Sequence, residues 1–268
     1  MFKDEYSYDE IDRYQDKFYV ACQNLKDQVA LHRHQKGQIV VVMDGVASLD
    51  VENSQYVIPY GYFVWIPENV MHRVSFNGKM VTLLSVYYPA EVRRPEMFNE
   101  VGVYPIPSIL YHVIEIMKES SNSFGREDWR FELLETTIHI LPHIIADCHF
   151  KLRLPTTTNR TALRIIECIH KDYFKPVTLQ HISRNLGLSE RSVNRYMNHE
   201  LGMSFTQYLR TYRIMKAIRR MADSDESLSN IAYEVGYDSL TAFSNTFNKI
   251  TGMRPSQFFR QPDIEWPE

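Results

Sequence analysis

Two sets of side chains in this sequence have types and spacings suited to chemistry. One is Ser239, Thr241, Ser244, Asn245, Asn248 and Lys249, polar residues on a short segment whose other side carries Phe243 and Phe247 one helical turn apart. An amide offers a donor and an acceptor together to a base edge, and a lysine meets phosphate, so such a face suits duplex DNA. The other set is His32, His34, Gln38 and His72. Residues two apart on a strand face the same side, so His32 and His34 can point inward together, while Gln38 and His72 arrive from elsewhere along a sheet. Imidazoles and a carbonyl oxygen suit a divalent transition metal; the same groups also serve to line or brace a ligand pocket.

The first set needs a helix to present it. Ile231, Ala232 and Val235 recur at helical spacing and stop at Gly236, a residue that accepts the left-handed backbone of a helix end. Asp238 and Ser239 then offer N-caps for a second helix, and Gly252 with Pro255 closes it. This unit is written twice. Asn198, Gly202, Met203, Gln207, Tyr208 and Arg210 recur as Asn248, Gly252, Met253, Gln257, Phe258 and Arg260 at an offset of 50 positions. Ser189 matches Ser239, and Gly187 matches Gly236 with one residue fewer in the turn. The outward face of the first copy holds Glu190, Arg191, Ser192, Asn194 and Arg195. A connecting helix from Phe205 to Met221, opened by the capping pair Ser204 and Gln207, joins the copies and carries Arg210, Arg213, Arg219 and Arg220, some of which are expected to reach phosphates.

The last hundred or so residues resemble the tandem helix-turn-helix domain of the AraC/XylS family of bacterial transcription regulators. The residues that carry the resemblance are Ala232, the Val235-Gly236-Tyr237 turn, Phe243-Ser244 with Phe247, and Gly252 with Pro255. It implies that one chain lays both recognition helices in successive major-groove segments, roughly 34 Å apart on an operator or promoter. Arg191 and Arg195 would then suit guanine, Asn194 and Asn245 adenine, and Thr241 a base edge or thymine methyl. The family's members are mostly activators, for which RNA polymerase is a further partner.

From Phe18 to about Tyr88 the chain runs in short β-branched and aromatic stretches, such as Ile39–Met43, Tyr56–Ile58, Phe63–Ile66 and Met80–Tyr88, broken by Gly, Pro and Asn. These read as strands of a small barrel or sandwich. The His-x-His-x-x-x-Gln pattern, with Gly45, Gly61, Pro67 and His72 after it, is similar to the two cupin motifs, whose ligands converge inside a jelly-roll barrel. Three positions depart from those motifs: Gln38 stands for the glutamate, and Lys26 and Asn69 for glycines. The resemblance implies a pocket for a small-molecule effector lined by His32, His34, Gln38, Trp65 and His72, with the histidines and Gln38 also the candidate metal ligands. Tyr60, Tyr62, Phe63 and Tyr87 are candidate aromatic walls, and Phe63 and Trp65 should share a face.

Two helical patterns follow, Leu110, Val113, Ile114 and Met117, then Phe131, Leu134, Ile138 and Leu141, joined by the turn 120–125 and so antiparallel. In the family such helices often pair two subunits, which implies a homodimer. Residues 151–161 are Thr-rich without apolar periodicity and read as a linker. The expected organisation is therefore α+β: residues 1–150 a cupin-like jelly-roll barrel with a helical pair, 151–161 the linker, 162–261 an all-α tandem helix-turn-helix domain, and 262–268 a tail.

The 268 residues suffice for two domains, and the net charge of −3 conceals a division. Residues 1–150 hold 13 Lys+Arg against 21 Asp+Glu, a net of −8; residues 151–260 hold 17 against 9, a net of +8. The basic half is the one with the repeated helical unit, as contact with DNA requires. No apolar run reaches about eighteen residues, and the acidic start is unlike a signal peptide, so a cytoplasmic location without membrane contact is expected. Cys22, Cys148 and Cys168 are scattered and read as reduced, small apolar residues. The reading is a sequence-specific regulator whose N-terminal barrel takes a small molecule or a metal. Two other classes are weighed against it: a metal-dependent cupin enzyme fused to a DNA-binding module, which the loss of the glutamate argues against, and a ligand-free architectural protein, which leaves the barrel unexplained.

Overall fold

The computed structural model describes residues 11–25, 28–52, 54–76, 80–93, 95–120, 122–145 and 152–258. Within them the chain forms two compact units, one of residues up to Val51 and from Ile58 onward to 145, the other of Glu52–Val57 with 152–258. The tail 262–268, Lys26, Cys148 and Arg260 lie outside the described residues.

The strands are β1 (Phe18–Leu25), β2 (Gly37–Val42), β3 (Val46–Val51), β4 (Ser54–Pro59), β5 (Tyr62–Ile66), β6 (His72–Ser75), β7 (Val81–Tyr88), β8 (Gly102–Pro105), β9 (Ser123–Phe124) and β10 (Arg153–Pro155). They form a six-stranded sheet in the order β8-β5-β2-β7-β1-β9 and a four-stranded sheet in the order β10-β4-β3-β6. Among the described residues the strand pairs β1–β7, β1–β9, β2–β5, β2–β7, β3–β6, β4–β10 and β5–β8 are antiparallel. β10 falls inside the stretch 151–161: Arg153 pairs with Tyr56 and Pro155 with Ser54.

Both faces of the larger sheet are buried, which is why β2 is apolar almost throughout. On one face Ile39, Val41, Phe63, Trp65, Leu84 and Val86 join a single core with two helices, α1 (Ser108–Met117) and α2 (Trp129–Ile145). The helices contribute the expected stripes: Leu110, Val113, Ile114 and Met117 from α1, and Phe131, Leu134, Ile138 and Leu141 from α2. The turn between them is pinned rather than loose. Phe124 pairs with Phe18 in the sheet, and the Arg130 guanidinium lies 3.9 Å from the centre of its ring.

The second unit is helical: α3 (Arg160–Asp172), α4 (Leu179–Leu186), α5 (Glu190–Leu201), α6 (Phe205–Asp223), α7 (Leu228–Glu234) and α8 (Leu240–Thr251). α3 packs with α4 and α5, and α6 with α7 and α8. The sequence repeat is reproduced in the boundaries. α5 and α8 each span 12 residues, start after Ser189 and Ser239, whose side chains accept from Ser192 N and Ala242 N, and stop at Gly202 and Gly252, with φ of 63° and 79°. α6 opens with the complete Ser204 and Gln207 capping box.

His170, near the end of α3, is clamped within this unit. Its ring stacks on Tyr212 with centroids 3.9 Å apart and planes 9° from parallel, and its Nε2 lies 3.2 Å from the Tyr208 hydroxyl. Burial, with smaller contributions from Lys216 and Arg219, pushes its pKa from 6.5 down to about 4.

Two outcomes follow from this packing. At Gly236, with φ of 91°, an added Cβ would come within 2.7 Å of both the Tyr173 carbonyl oxygen and Arg213 Nη2; at Gly187, with φ of 64°, it would meet nothing within 4 Å. Both substitutions to Ala incur the left-handed strain of roughly 1–2 kcal/mol, so chemical denaturation should rank Gly236→Ala as clearly the more destabilising. For His170 the unfolded chain takes a proton near pH 6.5 and the folded chain only near 4. Its contribution to stability is therefore complete above about 6.5 and lost as the pH falls toward 4. Unfolding midpoints measured across that window should decline less steeply in His170→Gln than in the wild type.

Candidate functional site

α5 and α8 are each oriented by three inward side chains at four-residue spacing, Val193, Met197 and Leu201 on α5 and Phe243, Phe247 and Thr251 on α8. Phe247 meets Phe243 and Phe258 edge to face, at 5.6 Å and 5.0 Å. With that side buried, Thr241, Asn245, Asn248 and Lys249 are exposed on α8, and Arg191 and Arg195 on α5. Ser189 and Ser239 act as caps. Ser192 is half-buried, with its hydroxyl 2.9 Å from that of Ser189, and Asn194 and Ser244 are also half-buried at the flanks. Glu190 is exposed at the first position of α5 but belongs angularly to the inward side.

Three residues that the sequence did not assign to these faces belong with them. Asn198 and His199 are exposed on the face of Arg195, where the 50-residue repeat sets them opposite Asn248 and Lys249. That same alignment could have found them. Arg254 is the third: it lines one concave surface with Thr241, Ser244, Asn245 and Asn248.

The connector arginines divide into two kinds. Arg210 is exposed. Arg213 instead donates to the Tyr173 and Lys175 carbonyls at 2.7 Å and 2.8 Å, closing the end of α3, and Arg220 pairs with Glu226 and Glu234. These two are internal fasteners, because the carbonyls after α3 and the acids around α7 capture them first.

The first unit gathers the histidines. His32 is joined to His72 by an isolated antiparallel bridge, and His34 lies in the irregular stretch before β2, so they are not on one strand as alternation suggests. Other contacts place them. Asn69 takes a left-handed φ of 61°, the conformation of the glycine it replaces in the cupin pattern, and its N–H donates to the His34 carbonyl at 2.8 Å. One ring nitrogen from each of His32, His34 and His72 lies within 4.8 Å of the others. Each Nδ1 donates to a backbone carbonyl: His32 to Ala30 at 2.8 Å, His34 to Lys36 at 2.6 Å, His72 to Val70 at 2.9 Å. Burial is the main reason that the pKa falls to about 4 for His32, to about 3 for His72, and below its usual value for His34. Neutral imidazoles with their tautomers set by carbonyls are the form a metal requires.

Gln38 joins the cluster and Trp65 does not. Gln38 Oε1 is 3.0 Å from His34 Nε2, and its amide reaches Ser85 Oγ at 3.2 Å. Gln38 pairs with Ile66 and Ile39 with Trp65, so successive side chains put the tryptophan on the opposite face of the sheet. There it donates to the Phe98 carbonyl at 2.6 Å and packs on Phe98 and Tyr88 in the helix-covered core. Phe63 shares its side, as expected, whereas Tyr87 faces the cluster, its ring 5.0 Å from that of His34. Cys22 and Cys168 are free thiols whose pKa is raised by burial. No helix among the described residues is long and apolar enough to cross a membrane.

Comparison with known proteins matches residues 19–134 to the AraC-like ligand binding domain and residues 182–261 to a helix-turn-helix domain. The HTH-type transcriptional regulator NimR of Escherichia coli is 25% identical over 230 residues, 85% of this chain and 81% of that protein. The HTH-type transcriptional activator RhaR of Salmonella schwarzengrund is 24% identical over 257 residues, 89% of this chain and 90% of that protein. Among solved structures, ToxT of Vibrio cholerae covers 96% of this chain and 98% of its own at 16% identity, with a TM-score of 0.38 that adds no weight. The two matched domains lie in the order, and on the residues, that the histidine-bearing sheets and the paired helical units occupy: the chain belongs to the AraC family of HTH-type transcriptional regulators.

Proposed function

We propose that this regulator reads double-stranded DNA through the outward faces of α5 and α8 and is controlled by a small molecule at the histidine cluster of its first unit. The observation that carries the reading is the duplicated geometry: two 12-residue helices with the same caps, each turned by three buried side chains so that polar residues face out. Arg191, Arg195, Asn198 and His199 form one reading face; Thr241, Asn245, Asn248 and Lys249, with Arg254 beside them, form the other. Ser192, Asn194 and Ser244 serve at the edges, Ser189 and Ser239 hold the helix starts, and Glu190 favours the α5 N-terminus by its charge.

Residues up to 150 constitute the effector half and 162–261 the DNA half. The segment before α3 has a direct hold on the first reading helix: Thr157 Oγ1 and Asn159 Nδ2 donate to the Glu200 carboxylate at 3.3 Å and 3.4 Å. Two chains acting together through α1 and α2, a cytoplasmic setting, and RNA polymerase as partner if transcription is activated complete the proposal. The regulator reading is placed before the enzyme alternative because the relatives that match most of the chain are transcriptional regulators.

Binding measurements on promoter and scrambled duplexes test this. Arg191→Ala and Asn198→Ala should each lose about 1–3 kcal/mol on the operator and relax preference at one base pair; equal losses on scrambled DNA would reduce them to phosphate contacts. Lys249→Ala should lower the slope of log affinity against log salt by about 1 while preserving preference. If the wild-type chain does not prefer any promoter fragment over scrambled duplex, the reading-face assignment is wrong.

A further inference from the structure

The histidine cluster contains a conflict that an ion would resolve. Because His34 Nδ1 donates to the Lys36 carbonyl, a neutral ring carries its lone pair on Nε2, and that lone pair faces Gln38 Oε1 at 3.0 Å. With the amide in this orientation the two acceptors face each other, an arrangement that a cation lying against both satisfies. A separation of 3.0 Å is also what two donors have when held side by side on one ion at about 2.1 Å each. His72 Nε2 is a second sign: it is buried and has no hydrogen-bond partner among the described residues. Gln38 can serve the site in either state. A half-turn of its amide presents NH2 to His34, and the Ser85 hydroxyl can donate or accept, so the change breaks no hydrogen bond.

We propose that His32, His34 and His72, with the Gln38 carbonyl beside them, hold a divalent transition-metal ion, and that this ion is the anchor for an anionic effector. The proposal deepens the effector-domain reading above and rests on it. Its second half comes from charge. Three imidazoles and an amide are all neutral, so a bound dication keeps both charges where little water can screen them. The ionised side chains closest by do not make up the difference. The Asp12 carboxylate accepts from Gln35 N at 3.1 Å, and the Lys36 ammonium, donating to the Lys17 carbonyl at 2.6 Å, offsets it. The missing negative charge must come with the ligand, through a carboxylate or another anion able to donate to the metal. A glutamate at position 38 would have supplied it from the protein.

Cobalt(II) is a suitable probe on the purified full-length chain, with azide as the anion. The wild type should take up one equivalent of Co2+ with visible absorption that azide alters saturably. His72→Ala should bind Co2+ at least about tenfold more weakly, a first-sphere loss no smaller than those seen for outer-sphere changes. Gln38→Glu keeps the ligand set and adds the charge, so it should retain Co2+ while binding azide at least about tenfold more weakly. Circular dichroism and promoter binding are recorded on the same samples. Folded wild-type protein without stoichiometric Co2+ uptake, or uptake unchanged in His72→Ala, overturns the metal site. A cobalt spectrum indifferent to azide, or an azide affinity unchanged in Gln38→Glu, overturns the anion anchor. Failure of promoter recognition alone counts against the regulator's reading faces and leaves these cobalt results to stand on their own.

Discussion

Burial of three side chains at four-residue spacing on each recognition helix is the constraint on which the molecule's function depends. On α5 these are Val193, Met197 and Leu201, and on α8 Phe243, Phe247 and Thr251. A helix rotated by one residue, about 100°, would drive Asn198 or Asn248 into the core and expose an apolar residue. Removing large apolar side chains from water contributes roughly 1.5–3 kcal/mol each, far more than any single solvent-exposed polar contact. The chemistry of the outward face is thus free to vary: Arg191 and Arg195 in one copy, Thr241 and Asn245 in the other, on the same frame. A duplicated scaffold with unlike faces can read two different short sequences.

Not all of the basic charge of this half is turned outward. Arg213 and Arg220 are consumed inside, by the carbonyls of Tyr173 and Lys175 and by Glu226 and Glu234. Gly236 belongs to the same arrangement, since only a residue without a Cβ lets the turn of the second copy approach Tyr173 and Arg213 so closely. Among the basic residues that are exposed are Arg191, Arg195, Arg210, Lys249 and Arg254. Arg191 and Arg195 lie on α5 and Lys249 on α8, and Arg254 borders α8.

Much of this was legible in the residues, and the gaps have physical causes. Helices with caps and an internal copy are signalled several times over, so α5 to α8 could be placed closely from Ser189, Ser204, Ser239 and Gly252. Strands β9 and β10, of two and three residues, are too short to show any periodicity. Trp65 shows a different limit. Alternation says that Phe63 and Trp65 share a side, but only the cross-strand pairing of Gln38 with Ile66 decides that this side faces the helices. The histidines were identified by type and spacing, yet the bridge between His32 and His72 and the turn at Asn69, rather than strand alternation, bring them together.

A small molecule in the first unit can change DNA binding only by as much as it prefers one arrangement of the chain over another, commonly 1–3 kcal/mol. Such energies are small, and hydrogen bonds of modest strength can transmit them. Glu200, which directly follows Asn198 and His199 on α5, accepts from Thr157 and Asn159 and from His199 Nδ1 at 3.1 Å. Asn159 is at the same time the N-cap of α3. The residues that enter the DNA-reading half therefore bear on the end of its first recognition helix without passing through the core. A displacement of that entry is felt first by a few polar contacts worth about 1 kcal/mol each, while the buried frame that aims the helix stays in place.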